Sequence, residues 1–295
     1  MPQHKTKLIG RSALLGTTLI WGSSFIILKA TLNSVPTLWI LAFRFTGAAA
    51  LLALFSLREL KKLDRRALKY GLAMGAALYC AYTVQTYGLL YTTPGKNAFL
   101  TSSYCVLVPF LWWLFYKKRP DRWNVIAALV CITGMALVSL DGSLGLGLGD
   151  ALTICCGLFY ALHIIVSSRG LESYGVMPLT TVQLATAAAL CWLTAPLVSP
   201  LPQDVPVSAW LSIAYLSLMC TGVCYFLQAL GQKYTSPQTA SIILTLESVF
   251  GTLFSVVFYH ERLSLKTVSG FALIFAAILI SETKLSFLRG REEAK

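Results

Sequence analysis

The chain has 295 residues, of which 56% are hydrophobic and only 12% are charged, and its formal net charge is +12. This composition excludes an ordinary soluble domain and indicates a protein that crosses a membrane several times. A high positive charge is also typical of proteins that bind nucleic acid. The positions of the basic residues along the chain decide whether that interpretation applies.

Ten stretches of the sequence are long and apolar enough to span the hydrocarbon layer, which needs about 20 residues in a helix. In chain order they are residues 12–31, 36–57, 70–91, 97–116, 122–140, 150–168, 178–198, 209–230, 237–259 and 267–284. We therefore predict an all-α integral membrane protein with ten transmembrane helices. Little sequence remains for a soluble domain, so function is expected inside the helix bundle.

The basic residues fall mainly on one side of the predicted bundle. If the N-terminus is cytoplasmic, 19 of the 24 Lys and Arg residues lie in cytoplasmic segments, four lie on the outer side and Arg44 lies within a span. Positive residues accumulate on the cytoplasmic side of membrane proteins. The sequence thus predicts a multi-pass protein of the cytoplasmic membrane with both termini in the cytoplasm. Topology and contact with anionic lipid explain the charge, and no nucleic-acid partner is expected.

The chain contains an internal duplication. Residues 85–125 align with residues 228–268 without a gap, at an offset of 143 positions. Matched pairs include Gln85/Gln228, Gly88/Gly231, Tyr91/Tyr234, Thr92/Thr235 and Pro94/Pro237. The duplication predicts two five-helix repeats, at residues 1–143 and 144–295, joined by the Gly-rich outer linker 141–150. Because each repeat has an odd number of spans, the two are inverted, as in transporters that bind their substrate near the membrane midplane.

Polar and aromatic residues recur at helical spacing on several spans. Polar groups in the hydrocarbon layer need partners or water, so these faces indicate a partly hydrated cavity formed by spans 1 to 4 and 6 to 9. The candidate substrate-binding residues are Trp21, Tyr82, Gln85, Asn97 and Tyr104 in the first half and His163, Tyr225, Gln228 and Glu247 in the second. The alternative for each is a hydrogen bond or packing contact between helices.

Two ionisable residues are predicted near the middle of the membrane. At a rise of about 1.5 Å per residue, Arg44 lies about 12 Å and Glu247 about 15 Å from the nearer end of its span. A charge at this depth costs at least about 2.5 kcal/mol, so each needs a partner or water. Arg44 and Glu247 either approach one another or gate one wall of the cavity, or else Arg44 caps backbone carbonyls. Glu247 would meet a cationic group or respond to protonation.

Four parts of the sequence resemble the EamA family of the drug/metabolite transporter superfamily. They are Trp21–Phe25, Phe43–Phe45, Tyr91–Tyr104 and the run from Leu246–Phe250 to His260–Leu263. Two departures are Glu247-Ser248, where the family usually has Glu-Pro, and the basic turn 117–119, which lacks an acidic residue often found there. The resemblance covers the chain and implies a secondary carrier of the cytoplasmic membrane that often exports amino acids or other small metabolites.

The expected function is export of amino acids or related small organic metabolites by alternating access. Efflux of cationic drugs is the alternative, because Glu247 and aromatic rings also suit cations, and a receptor or scaffold is the alternative outside transport. No enzyme is expected, because the spans lack an Asp pair or a zinc ligand set. The eight cysteines lie in apolar stretches, so neither a disulfide framework, a metal nor another cofactor is expected. The expected partners are a small-molecule substrate and the lipid bilayer, with the chain as a monomer or homodimer.

Overall fold

The computed structural model describes residues 3–117, 119–139 and 146–283, and the regular elements in these ranges are helices. In chain order they are α1 (Gln3–Thr31), α2 (Thr37–Leu60), α3 (Arg65–Leu90), α4 (Pro94–Thr101), α5 (Tyr104–Tyr116), α6 (Arg122–Ser139), α7 (Leu148–Ser173), α8 (Val176–Val198), α9 (Val207–Ser217), a π-helical turn (Leu218–Val223), α10 (Cys224–Tyr234), α11 (Pro237–Phe258) and α12 (Leu265–Thr283). The prediction of an all-helical chain is confirmed.

Seven helical segments in the described part of the chain are long and apolar enough to cross a membrane. They are Leu8–Thr31, Thr37–Leu60, Pro94–Tyr116, Leu148–Ser173, Val176–Val198, Val207–Tyr234 and Thr239–Phe258. Two shorter apolar helices, Arg122–Val138 and Leu265–Ala277, coincide with two other predicted spans, and α3 coincides with a third. The fold is therefore that of a multi-pass membrane protein.

Large apolar side chains lie on the outside of the bundle. Leu54, Phe55 and Leu197 are among those with more than two thirds of their surface exposed. A soluble protein would rarely expose such an apolar surface. In a bilayer these side chains contact lipid, while the polar groups point inward.

Two predicted spans contain irregular backbone that the sequence analysis did not identify. The span predicted at 97–116 is divided into α4 and α5 by a turn at Ser102 and Ser103. The Ser102 hydroxyl donates to the Ala98 carbonyl at 3.1 Å, a side-chain bond that competes with the helical ladder. The span predicted at 209–230 contains the π-helical turn, where the Thr221 hydroxyl donates to the Leu216 carbonyl at 2.8 Å. Such π-helical turns often occur at functional sites.

Corresponding helices of the two halves make corresponding contacts. α6 packs against α12, and α2 packs against α8. The contact of α3 with α7 has its counterpart in the contact of α10 with α1. Two glycine pairs allow the last two contacts. A Cβ on Gly149 would lie 2.8 Å from the Gly88 carbonyl oxygen, and one on Gly231 would lie 2.9 Å from the Gly10 carbonyl oxygen. Small residues let membrane helices approach this closely.

Some predictions concern parts of the chain outside the described residues. These are the repeat boundary between residues 143 and 144, the start of the Gly-rich linker, Lys118 and the basic residues beyond Thr283. Near them, α6 ends at Ser139 and α7 begins at Leu148.

Candidate functional site

A cavity lies inside the bundle, between helices of both halves. It is lined by Trp21, Ser24, Phe25, Leu28, Arg44, Tyr82, Gln85, Tyr104, Tyr160, Ile164, Tyr225, Gln228, Leu244 and Glu247. The space inside it that a water molecule could occupy is about 30 Å³, which is room for one or two water molecules. The cavity is therefore small and is lined by polar and aromatic side chains.

Helix α1 presents one face to the cavity, because residues 21, 24, 25 and 28 recur at helical spacing. Trp21 is fixed by a hydrogen bond of 2.6 Å from its indole nitrogen to the carbonyl of Cys220, within the π-helical turn. Its ring lies 5.2 Å from the ring of Tyr225, measured between centroids. The indole therefore joins α1 to the turn and forms part of an aromatic wall.

Four tyrosines continue this aromatic wall. Tyr82 lies 5.7 Å from Tyr160 and 6.2 Å from Tyr225 between ring centroids, and Tyr104 lies 6.1 Å from Tyr160. Aromatic rings at these separations make favourable edge and offset contacts. Tyr160 completes the group, although it was not among the candidate substrate-binding residues.

Arg44 is the buried cation of the cavity, with 1% of its surface exposed. Its Nε donates to the Thr221 hydroxyl at 2.5 Å, and its Nη2 donates to the Tyr82 hydroxyl at 3.3 Å. The guanidinium carbon also lies 4.7 Å from the centre of the Tyr82 ring, a cation–π distance. The Ser217 hydroxyl donates to the Arg44 carbonyl at 2.8 Å. The π-helical turn and its flanking residue thus hold Arg44 from both backbone and side chain.

Gln85 and Gln228 both line the cavity, as their equivalent positions in the duplication suggested. The Gln85 amide is engaged at both of its polar atoms, since Nε2 donates to the Thr101 hydroxyl at 3.1 Å and Oε1 accepts from the Tyr160 hydroxyl at 2.7 Å. In contrast, Oε1 of Gln228 is buried and has no hydrogen-bond partner. One amide is used within the wall, and the other leaves an acceptor available.

Glu247 is the acidic residue of the cavity, with 6% of its surface exposed. The hydroxyl of Tyr104 lies close to its carboxyl group and interacts with it electrostatically, although no hydrogen bond of standard geometry reaches that hydroxyl. Among the described residues, Arg44 and Glu247 form no ion pair with each other. The cavity therefore contains a basic and an acidic side chain that do not contact each other directly.

Asn97 and His163 are buried but do not line the cavity. The Asn97 amide donates to the Gln85 carbonyl at 3.3 Å and to the Thr153 hydroxyl at 2.8 Å. His163 Nε2 lies 2.8 Å from Gln183 Oε1, and its ring meets the Tyr225 ring edge-on at 5.8 Å. Both residues therefore contact residues of the cavity wall, Gln85 and Tyr225, without lining the cavity themselves. Within the described part of the chain, no group of three or more His, Cys, Asp or Glu residues could hold a metal ion.

Comparison with known proteins identifies the family. The model of the EamA-like transporter family matches residues 8–140 and again residues 147–283. An "Uncharacterized transporter" of Archaeoglobus fulgidus is 34% identical over 264 residues, covering 89% of this chain and 82% of the relative. The "Uncharacterized transporter YwfM" of Bacillus subtilis is 27% identical over 286 residues, covering 90% and 91%.

A solved structure supports the same fold. It is described as "Crystal structure of protein", has a TM-score of 0.72 and 18% sequence identity, and the match covers 97% of this chain and 99% of the other. At this identity the likeness establishes the architecture alone. The two family matches and the archaeal relative go further, and together they show that the chain belongs to the EamA-like transporter family and is a multi-pass membrane transporter.

Proposed function

We propose that the protein is a secondary carrier that exports amino acids or related small zwitterionic metabolites across the cytoplasmic membrane by alternating access. The observation that carries this proposal is the presence of Arg44 and Glu247 in the lining of one cavity without an ion pair between them. Buried charges are costly unless they are paired. A zwitterion supplies both missing charges at once.

The proposed substrate would place its carboxylate against Arg44 and its ammonium group against Glu247. A guanidinium has five N–H donors, and the protein uses Nε and Nη2 of Arg44 in hydrogen bonds. The remaining donors suit a carboxylate, which arginine binds in a planar, often bidentate arrangement. Glu247, beside the unsatisfied Tyr104 hydroxyl, provides the acceptors for an ammonium group.

The other candidate residues have distinct proposed roles around this pair. Trp21, Tyr82 and Tyr225 supply aromatic contact, and the free Oε1 of Gln228 orients the ammonium group or another donor of the substrate. Gln85 contacts the substrate less directly, because its own amide is engaged by the wall. Asn97 and His163 keep the wall in place. Apolar lining residues such as Leu28, Ile164 and Leu244 suit an apolar substrate side chain.

The proposed topology has ten transmembrane helices in two inverted repeats, residues 1–143 and 144–295, with both termini in the cytoplasm. The family model supports it by matching the chain twice. The helix contacts also support it, because α3 packs against α7 as α10 packs against α1, and the pairs α2–α8 and α6–α12 each join corresponding helices of the two halves. Two similar inverted halves favour rocking of one against the other around a midplane site.

The volume of the cavity favours alternating access. Sites for small organic molecules usually have about 300 Å³ or more, whereas this one has room for one or two water molecules. The helices must therefore separate before a metabolite can enter. Opening toward one face at a time, with a state of small cavity volume between the two, is the cycle of a carrier.

Efflux of cationic drugs is the second transport function, and it is favoured by Glu247 and the aromatic rings of the wall. Arg44 argues against it, because a positive charge in the same cavity repels a ligand that carries only positive charge. A receptor or scaffold would use the same fold without moving a solute.

Counterflow in proteoliposomes tests the proposal. Vesicles loaded with unlabelled solute would be offered labelled amino acids, nucleosides or quaternary ammonium compounds, with Glu247→Gln beside the wild type. The matched control is Glu172→Gln, which changes an exposed carboxylate at the end of α7. We expect counterflow of amino acids that is lost in Glu247→Gln and kept in Glu172→Gln. Counterflow of quaternary ammonium compounds alone would establish drug efflux instead, and no counterflow by folded protein would favour the receptor or scaffold.

A further inference from the structure

At one end of the bundle, two carboxylates of the second half hold the start of α4, which belongs to the first half. The first is Asp150, at the start of α7, with 5% of its surface exposed. It accepts a hydrogen bond of 2.6 Å from the Thr92 hydroxyl, and Lys96 Nζ lies 3.6 Å from its other oxygen. Because this carboxylate is buried, solvent and salt screen its ion pair only weakly.

The second carboxylate is Glu261, in the turn between α11 and α12. It accepts hydrogen bonds from the Thr93 hydroxyl and from the Gly95 backbone N–H at 3.0 Å. It also accepts a hydrogen bond of 2.5 Å from the hydroxyl of Ser255, which lies in the last turn of α11. A Cβ on Gly95 would lie 2.7 Å from Glu261 Oε2, so the carboxylate is closely seated on the first turn of α4.

The first carboxylate, Asp150, lies beside a close helix contact. α3 and α7 touch there through Gly88 and Gly149, and Asp150 follows Gly149 in sequence. The end of the bundle is thus held by a backbone contact and by charged hydrogen bonds that join the two halves. Hydrogen bonds with a charged partner are about twice as strong as neutral ones.

The opposite end of the bundle repeats the backbone contact but not the charges. There α10 and α1 touch through Gly231 and Gly10, and the residue after Gly10 is Arg11. Arg11 is exposed and lines an open cleft with Thr235 and Thr239, which are the repeat equivalents of Thr92 and Lys96. The sequence equivalent of Glu261 is residue 118, a lysine outside the described residues.

We infer that Asp150 and Glu261 form a latch that holds the transporter closed at the α4 end, and that the opposite end has no acidic counterpart at these two repeat positions. Opening toward the α4 end separates the halves and so must break both contacts. The inference rests on the proposed alternating access, in whose topology this end is extracellular. The latch therefore biases the empty carrier away from the state that is open to the outside.

The test measures access to the cavity from each face of the membrane and needs no transported solute. A Ser24→Cys reporter is placed in the cavity lining, where Ser24 lies. A membrane-impermeant methanethiosulfonate is applied to right-side-out and inside-out vesicles, and the chain with its eight native cysteines provides the background. A separate Leu201→Cys reporter, on the exposed loop after α8, identifies the face that carries the α4 end.

Removing either charge should open that face. In the Ser24→Cys chain, Asp150→Asn and Glu261→Gln should each raise the labelling rate from the α4 face about tenfold, since the negative charge that strengthens the hydrogen bonds is lost. Labelling from the opposite face should not rise. The exchanged pair Lys96→Asp with Asp150→Lys recreates the ion pair but not the hydrogen bond from Thr92, so it should label more slowly than Asp150→Asn and faster than the parent. Glu172→Gln, which alters an ion pair within α7, is the matched control and should change nothing.

Unchanged labelling in both single variants would overturn the latch, as would an equal increase from both faces, which indicates a loosened bundle. These results are separable from the counterflow results, since a carrier of another solute, or no carrier at all, can still show labelling controlled by Asp150 and Glu261.

Discussion

Gln85 and Gln228 occupy equivalent positions in the two halves of the molecule, yet their surroundings differ. Gln85 is bonded to Thr101 and Tyr160, so its amide stabilises the wall. Gln228 also faces the cavity, but its Oε1 has no partner. Because buried polar groups in native proteins are usually satisfied, an unsatisfied one at a cavity is available to a water molecule or a ligand. The comparison suggests that Gln85 stabilises the cavity wall and that Gln228 contacts the substrate.

The largest expected effect comes from replacing Glu247, the acidic residue of the cavity. Like Gln228, it belongs to the second half of the chain. We expect Glu247→Gln to reduce amino acid counterflow by about 100-fold, because a charge-assisted contact to the buried ammonium group is lost. The unfolding temperature in detergent should not fall, because Glu247→Gln also removes the cost of burying an unpaired charge. Counterflow and thermal unfolding measured on the same preparation check both statements, and an unaltered transport rate would contradict them.

The next prediction concerns Gln85, whose amide is bonded within the cavity wall. Gln85→Leu leaves the Tyr160 and Thr101 side chains without their partner, which should lower the free energy of unfolding by about 1–3 kcal/mol. Denaturant or thermal unfolding in detergent measures this. If Gln85→Leu were as stable as the wild type and instead lost substrate affinity, Gln85 would be a binding residue and the contrast between the halves would disappear.

Gln228→Leu is the matched variant in the other half. It removes an amide whose oxygen bonds to nothing in the protein, so stability should change little. Affinity should fall about tenfold, the value of one hydrogen bond to a charged group. Titration of substrate in the counterflow assay measures the affinity. A large loss of stability with normal affinity would reverse the proposed roles of the two glutamines.

The smallest effect is expected from Trp21→Phe, which keeps the aromatic contact with Tyr225 but removes the hydrogen bond to the Cys220 carbonyl. Loss of this bond should weaken transport by about fivefold, equivalent to about 1 kcal/mol. Trp21→Tyr is a useful companion, because its hydroxyl also cannot reproduce the indole N–H position. Transport at the wild-type level in both would show that the indole only packs.

The sequence predicted the helical membrane architecture because apolar length and the distribution of basic residues are large signals. Seven of the nine candidate residues, including Tyr82, Gln228 and Glu247, line the cavity, because polar residues within spans point inward. Their role in binding a substrate stays a prediction. The sequence did not separate these from Asn97 and His163, since helical spacing shows which residues share a face but not which neighbour that face meets.

The irregular backbone was beyond prediction from sequence. The π-helical turn has no Pro or Gly-rich signature that marks its six residues, and it depends on the contacts of Thr221 and Ser217 with Arg44 in α2. These partners are far apart in the chain. The sequence therefore indicated that Arg44 needs a partner, while only the packing of α2 against the turn identifies it.

The central claim, that Arg44 and Glu247 bind the two charges of one zwitterion, is tested most directly by binding of matched ligands to purified protein. The series is leucine, leucine methyl ester, which carries only the positive charge, and N-acetylleucine, which carries only the negative charge. Calorimetric titration should show the tightest binding for leucine, with at least tenfold weaker binding for each derivative, because each leaves one buried charge unpaired. Binding of the ester as tight as that of leucine would contradict the claim and would assign the cavity to cations.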